Sequence, residues 1–395
     1  MNFFQRLFNV ERDRYGSFTY SFIDSEGFDN NSNYLKMSLE NPILMTIIAL
    51  RCKIYSQMKI KHLNANGDVI ENSQIINLLK APNVFQSQED FFFQQMWFLS
   101  SYGTNYTYQL KPTSEVKALY NLIPTNVDFN QSEKLNKFII TDKDYNDYSK
   151  KKIKYTLDNT QYNIELKNII ATYDLANGLT ENSFNSSPSR VKGIKKTLAN
   201  IDEAIKAKNV NLQMAQKYLV GNKSTGNEAQ IQETDRKDIF QKISKKNLMI
   251  TNANVEVKHL VSDLKRLFLD EQMSNDALTC LLAYDMSKDV LNYFSNSTST
   301  YENKEKAMVD YLQNSIQVDA NNTMNSFNDQ FGLNEKGEML VASYDHHPAM
   351  SKVVAEKIGT LKSMQEVIKL SLENGTITPA DAIEMTKELK LKLGL

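Results

Sequence analysis

The residue types that carry chemistry are present in this chain, but none is spaced for a reaction. Asp345-His346-His347 contains two of its four histidines. A metal ion needs at least three convergent ligands. No other histidine lies near in sequence, so a polar junction before Pro348 is expected. Asp142 and Asp144 fall in a turn-like run, Asp142-Lys-Asp-Tyr-Asn-Asp147, where carboxylates are ordinarily solvated. Gly221-Asn-Lys-Ser-Thr-Gly-Asn227 has the outline of a phosphate loop. However, Asn227 stands where the gripping lysine belongs, and a helix is expected ahead of it instead of a strand. A surface turn is the better reading. There is no Ser/His/Asp pattern, no CxxC and no HExxH, so no catalytic residue, metal or cofactor is expected.

Two further groups have chemistry that suits nucleic acid. Phe91-Phe-Phe93 with Met96, Trp97 and Phe98 could stack bases, although aromatics this dense on a helix ordinarily make core. The run from Ser189 to about Leu219 carries Arg190, Lys192, Lys195, Lys196, Lys206, Lys208 and Lys217 against Asp202 and Glu203. That face is either simply solvated or a contact for an acidic polymer or adjoining subunit. A net charge of −1 argues against a histone-like DNA binder, because tight nonspecific binding needs a large cationic excess.

The most distinctive stretch does no chemistry. Ser295, Asn296, Ser297, Thr298, Ser299, Thr300, Tyr301, Glu302 and Asn303 form a wholly polar run. A segment of about 28 residues without Gly or Pro follows it, roughly 42 Å if helical. Thr300 is the expected cap, with Glu302 and Glu305 near the first turn. Met308, Leu312, Ile316, Ala320, Met324, Phe327 and Phe331 form one apolar stripe behind it.

The remaining elements must position that loop. Composition is that of a folded protein of 395 residues, 41% apolar and 24% charged. Cys52 and Cys280 each have apolar neighbours and suggest buried thiols in a reducing cytoplasm. The start shows no secretory signal, and Pro42–Leu50 is about half of what a bilayer needs, so a soluble, non-membrane chain is expected.

The fold class expected is α+β, predominantly α. An irregular arm covers 9–35, and helix runs from Pro42 to about Met58. Lys59–Leu63 and Val69–Glu71 flank an Asn-Gly hairpin turn at Gly67. Helices follow at Ser73–Leu79 and Gln86–Ser101, the latter stopped by Gly103. Alternation from Tyr106 to Tyr173 reads as a small β-rich module. Helix Ser189–Leu219 has a narrow apolar seam suited to helix-on-helix packing. A helix near Ile231–Lys246, a strand pair Leu248–Ile250 with Glu256–Leu260, and a helix Asp263–Ala283 come next. Helices Ser351–Glu373 and Pro379–Leu393 close the chain.

Taken in order, several motifs resemble the portal proteins of tailed bacteriophages, the large family of long-tailed phages. They are Asn41-Pro42 opening a helix, Leu78-Leu79-Lys-Ala-Pro82-Asn83, Glu89–Phe91 followed by Tyr102-Gly103-Thr-Asn105-Tyr106, Ser299-Thr300-Tyr301-Glu302-Asn303-Lys-Glu305, and Asn374-Gly-Thr-Ile-Thr-Pro-Ala-Asp381. The chain departs from the pattern at Tyr284-Asp-Met-Ser-Lys288, where the family often has Gly-Val-Pro. It also lacks a proline near Gln317-Val318, so a less kinked long helix is expected.

The resemblance implies a portal fold of wing, stem, clip and crown, assembled as a dodecameric ring at one capsid vertex. Packaged and ejected double-stranded DNA would pass through it nonspecifically. It implies an arm and wing at 1–106, a clip at 107–172, a stem helix at 173–220, further wing with tunnel loop and long helix at 221–345, and a crown at 346–395. Ser295–Tyr301 would face the DNA. Partners would be the terminase large subunit, the head-completion adaptor and the major capsid or scaffold protein. The location would be the virion, after assembly in the host cytoplasm. The competing expectation is a soluble helical nucleic-acid-binding scaffold acting as monomer or dimer.

Overall fold

A computed structural model describes residues 32–112, 115–129, 150–177, 179, 185–214, 218–222, 255–259, 269–294 and 300–393. Helix begins earlier than the expected arm allows, at α1 (Ser32–Glu40). Asn41 then starts α2 (Pro42–Ser56), its side chain accepting from the Leu44 amide at 3.0 Å. Proline fits the first turn because that N–H has no helical partner.

The Asn-Gly turn forms, with Gly67 at φ 84°. Strand β1 (Lys59–Leu63) nevertheless finds its main partner elsewhere. It pairs antiparallel with Met339–Ser343, 280 residues on, while Leu63 and Val69 make only a single bridge. Local turn chemistry therefore closes the loop, and a distant strand supplies the ladder.

Helix α3 (Gln74–Lys80) is capped by Ser73 and buries Leu79. Beyond it, Pro82 and Asn83 act as a substitute strand. The Leu119 amide donates to the Pro82 carbonyl at 2.7 Å, and Asn83 Nδ2 donates to the Leu119 carbonyl at 2.9 Å. Helix α4 (Gln88–Tyr102) opens on a capping box of Ser87 and Asp90 and ends at Gly103. Its Phe91, Phe92, Met96 and Phe98 are buried, as the core reading expects.

Strands β2 (Thr104–Leu110), β3 (Ala118–Leu122) and β7 (Ile169–Tyr173) form one antiparallel sheet in the order β3-β2-β7. Strands β4 (Val127–Asp128), β5 (Lys152–Leu157) and β6 (Thr160–Glu165) form another. Tyr106, Leu122 and Ile169 from the first and Ile153, Tyr155 and Ile164 from the second share one apolar cluster. The expected strand near 135–140 lies outside the described residues.

Helix α5 (Arg190–Met214) is shorter than expected, because Tyr218–Asn222 is not helix but strand β8. It pairs with β9 (Val255–His259), so β9 has a partner other than the expected Leu248–Ile250, which lies outside the described residues with 231–246. Val220 and Val257 sit opposite one another in that ladder, as β-branched residues favour. Helix α6 (Leu269–Ala283) and α7 (Lys288–Tyr293) precede the polar loop. After it come α8 (Tyr301–Tyr311), a π-turn at Leu312–Ile316 and α9 (Gln317–Phe331). Strand β10 (Met339–Ser343), α10 (Ser351–Glu373) and α11 (Pro379–Leu393) complete the order.

Two compact units result. Residues 1–196 and 278–395 make one, and Thr197–Ala277 makes the other. The described strands of 107–172 belong to the larger unit, with β2 packing on α4 and β7 on α9.

Gly103 is required twice over. Its φ is 78°, and a Cβ there would sit 2.4 Å from the Pro188 carbonyl oxygen. Gly103→Ala is expected to lower stability by about 2 kcal/mol or more in urea unfolding. A change below about 0.5 kcal/mol would contradict the close approach.

Candidate functional site

Ser295, Asn296, Ser297, Thr298 and Ser299 lie outside the described residues; both of the loop's anchors lie within them. On one side, α7 ends at Phe294, whose ring meets Tyr293 edge-on at 5.2 Å. Tyr293 in turn packs near His347, 6.2 Å away. On the other side, Thr300 is exposed at the start of α8. It occupies the capping position, but its side chain makes no cap hydrogen bond, contrary to expectation. Tyr301 is the first helical residue.

The helix behind the loop is held along its length. Met308, Leu312, Ile316, Ala320, Met324 and Phe327 are all buried. The first five recur every four residues, and an α-helix turns once per 3.6. Such a stripe drifts by ~40° per step. The π-turn at Leu312–Ile316 takes up an extra residue and removes much of that drift. The expected uniform helix is thus interrupted by one wide turn, immediately before Gln317. Glu305, nearly buried, receives Lys352 Nζ at 2.7 Å and fastens α8 to α10.

Beneath this frame lies a buried ion network. Arg51 of α2 has no solvent exposure. Its Nη2 donates to Asp319 of α9 at 2.6 Å and to Asp174, just past β7, at 3.2 Å; Nη1 donates to the Tyr284 carbonyl at 3.2 Å. Arg190, the first residue of α5, grips Asp174 through Nε at 2.6 Å and Nη2 at 3.1 Å. Its Nη1 reaches Asp285 at 2.8 Å and the Ala283 carbonyl at 2.7 Å. The two guanidinium carbons sit 5.7 and 5.9 Å from the Tyr284 ring centroid. Tyr284 itself donates to the Ser100 carbonyl at 3.0 Å.

Backbone geometry brings these groups together. Asp285 adopts φ 57° after α6, and the Met286 amide closes back on the Leu281 carbonyl at 3.0 Å. That is a left-handed helix end of the kind glycine usually makes. Here an aspartate accepts the conformation, and its carboxylate meets Arg190. The point where the sequence departs from the portal pattern is therefore a structural joint.

Two guanidinium groups face three carboxylates, so one carboxylate is surplus. Burial pushes the Asp319 carboxyl up to about 6, and Arg51 opposes this only in part. Burial also works against the charge on Arg51, but Asp319 and Asp174 outweigh it and hold that pKa above its ordinary value. Burial raises the Tyr284 hydroxyl as well.

The basic residues singled out on α5 divide. Arg190 belongs to the buried network and not to a solvated basic face, because Asp174 and Asp285 hold it inside. Lys192 and Lys196 are exposed; Lys195, Lys206 and Lys208 are half-buried, and Lys206 pairs with Glu203 at 2.7 Å. Lys217 lies outside the described residues. Cys52 and Cys280 are both buried thiols. His347 caps the 348–350 turn, its Nδ1 accepting from the Ala349 amide. Gly221 and Asn222, the start of the phosphate-loop look-alike, lie in β8, so a strand does precede 223–227 after all. Sequence reasoning missed Arg51, whose signal was a lone charge ending the apolar run Pro42–Leu50.

No family model and no curated protein matches this chain. Solved structures do. A subunit from the neck of an empty gene transfer agent particle, computed with C6 symmetry, superposes with a TM-score of 0.64 at 12% identity, over 93% of this chain and 94% of that one. A subunit of the native particle's neck, computed with C12 symmetry, gives 0.60 at 12% identity over the same shares. An HK97-family phage portal protein from Corynebacterium diphtheriae gives 0.52 at 9% identity, over 78% of this chain and 93% of that one. The chain has the portal-protein fold. Its α+β architecture, mostly helical with small sheets, agrees with the class expected from sequence.

Removing one member of the network should be felt strongly. Arg51→Met is expected to destabilise by about 3 kcal/mol or more, measured by denaturant unfolding; a near-neutral result would mean the charges are dispensable. For Asp319, the folded-state value exceeds the unfolded one of about 3.9. Its contribution to stability is complete below that pH and is lost as pH rises through about 6. Asp319→Asn should therefore gain on the parent by about 3 kcal/mol between pH 4 and pH 7. A gap moving the other way would reverse the assignment.

Proposed function

We propose that this chain is a portal protein, whose copies close into a ring at one capsid vertex and conduct double-stranded DNA during packaging and ejection. The observation that carries this reading is end-to-end agreement with subunits of ring-symmetric particle necks, over 93% of this chain and 94% of theirs. A ring of identical copies uses heterologous contacts, in which one patch meets a different patch on the next copy. Twelve copies is the proposed number. The role is structural and non-enzymatic, and the location is the virion after assembly in the host cytoplasm.

The tunnel loop is Ser295–Tyr301. Its hydroxyl and amide groups can touch phosphate without holding it, which suits a moving duplex. Strong cationic binding, which gains affinity by releasing counterions, would retard it. No sequence reading is expected. Support comes from the loop's mounting, since both anchors are fixed to helices tied to the buried network.

Beside the clip expected at 107–172, the two compact units support a second assignment. The terminase large subunit and head-completion adaptor are proposed to dock on the unit Thr197–Ala277, which the chain enters along α5 and leaves along α6. Lys192 and Lys196, exposed near the start of α5, remain candidates for a stem basic face. The larger unit would be wing, and α10 with α11 the crown, with the major capsid or scaffold protein outside.

Negative-stain images of purified protein should show uniform annuli with an axial hole. Compact globules at every concentration would favour the scaffold reading instead. Deleting Ser297–Thr300 should leave ring assembly intact and reduce packaged DNA severalfold; rings lost on that deletion would make the loop architectural.

A further inference from the structure

Helix α10 runs for 23 residues, none of them buried. It is roughly 35 Å long, and its main packing is against α11 and, at its root, the Pro348–Met350 turn. The hairpin of α10 and α11 is braced at its far end. Gly375 takes φ 68°, and the Thr376 amide closes on the Ser371 carbonyl at 2.9 Å. Thr378 and Asp381 then cap each other, the Asp381 amide donating to Thr378 Oγ1 at 3.3 Å and the Thr378 amide to Asp381 Oδ2 at 3.0 Å. The two helices are thus stiffly joined to one another and held to the rest of the unit chiefly at one end.

That end is a socket with two ion pairs beside it. Ala349 and Met350 are buried, and their turn packs on α8 as well as on α10. Lys352 Nζ reaches Glu305 Oε2 of α8 at 2.7 Å, and Lys357 Nζ reaches Asp345 Oδ1 at 3.7 Å. Positions five apart on a helix are separated by roughly 140°, so the two pairs restrain tilt in different directions. Glu305 is the more dependent partner. Its side chain is 11% exposed, and Lys352 is the one partner of that side chain among the described residues. A carboxylate taken from water relies on its counter-charge, and here the hairpin supplies it.

We propose that the α10–α11 hairpin is a lever that pivots on the Pro348–Met350 turn and is latched by Glu305–Lys352 and Asp345–Lys357, with ionic strength setting how firmly it is held. The side chain of Lys352 is 72% exposed, so dissolved ions reach and screen that pair. A tilt of about 10° at the root carries the far end roughly 6 Å. Glu305 lies about one turn into α8, which begins at Tyr301. The latch therefore joins the lever to the helix that anchors the polar loop. This device belongs to the fold of one chain and does not depend on the ring reading.

The test is a spin-label distance measurement on the full chain, with nitroxides on Lys80→Cys of α3 and Ser363→Cys of α10. Both sites are exposed, and Cys52 and Cys280 are buried from the label. Labelled chain is diluted with unlabelled chain so that each particle carries one label pair. At low salt the distance distribution should be narrow. Lys352→Met with Lys357→Met keeps both aliphatic stems and removes both charges; it should broaden the distribution roughly twofold, and about 1 M salt should do the same to the parent. Lys352→Arg with Lys357→Arg keeps the charges and should leave it narrow at low salt. Hydrogen exchange separates pivoting from melting. Residues 301–306 should exchange severalfold faster in the Lys→Met variant, while 362–373 stay protected. A distribution that is equally narrow in the Lys→Met variant, or indifferent to salt in the parent, overturns the lever. Faster exchange along the whole of 351–393 means that the hairpin unfolds instead of tilting, and overturns it as well.

Discussion

A single fully buried guanidinium joins four segments of the larger unit that lie far apart in sequence. Arg51 joins α2 to α9 through Asp319 and to the end of β7 through Asp174, and it touches the end of α6 through the Tyr284 carbonyl. A charge with no solvent is tolerable only when it is paired, and here two carboxylates and a carbonyl answer the two Nη atoms, while Nε has no hydrogen-bond partner among the described residues. Four segments far apart in sequence must therefore arrive together or not at all. Arg190 extends the same condition to the first residue of α5. An apolar cluster can repack by sliding, whereas an arginine between two aspartates has one register.

That constraint reaches the polar loop through the long helix. Asp319 lies just past the π-turn, and the turn's extra residue keeps the Met308-to-Met324 stripe on one side. Where proline would bend a helix by removing a hydrogen bond, here a wide turn adjusts phase without removing any residue's donor. The loop's other anchor follows a left-handed helix end at Asp285, whose carboxylate completes the ion network. Both ends of Ser295–Ser299 are consequently referenced to the same buried charges. The residues of Ser295–Ser299 supply no apolar anchor of their own, so the loop depends on its two ends for its mounting.

Near-neutral charge and hydroxyl side chains do not make a strong polyanion-binding site. The portal fold at 9–12% identity to its solved relatives shows how little of such a chain is dictated by chemistry at any one position. In this chain, Gly103 against Pro188 and Asn83 against Leu119 are two joints that require their residue types for geometry and not for reactivity.

Local rules were legible in the sequence wherever a single segment decides its own conformation. Asn41-Pro42, Ser87 with Asp90, and Gly103 mark helix ends because caps satisfy backbone groups within a few residues. The helices at 351–373 and 379–393 are readable from periodicity alone. The aromatic run at 91–98 announces core by its density. The sequence did not reveal partners. Lys59–Leu63 pairs with a strand 280 residues away and Val255–His259 with Tyr218–Asn222, because a ladder's donor and acceptor groups are the same at every residue and carry no address. It also gave no notice of Arg51, since a charge is destined for the interior only if distant aspartates converge on it. Nor did it show that β2 would pack on α4 and β7 on α9, a matter of which faces meet. Those decisions belong to tertiary structure, where burial and complementary charge are properties of several segments at once.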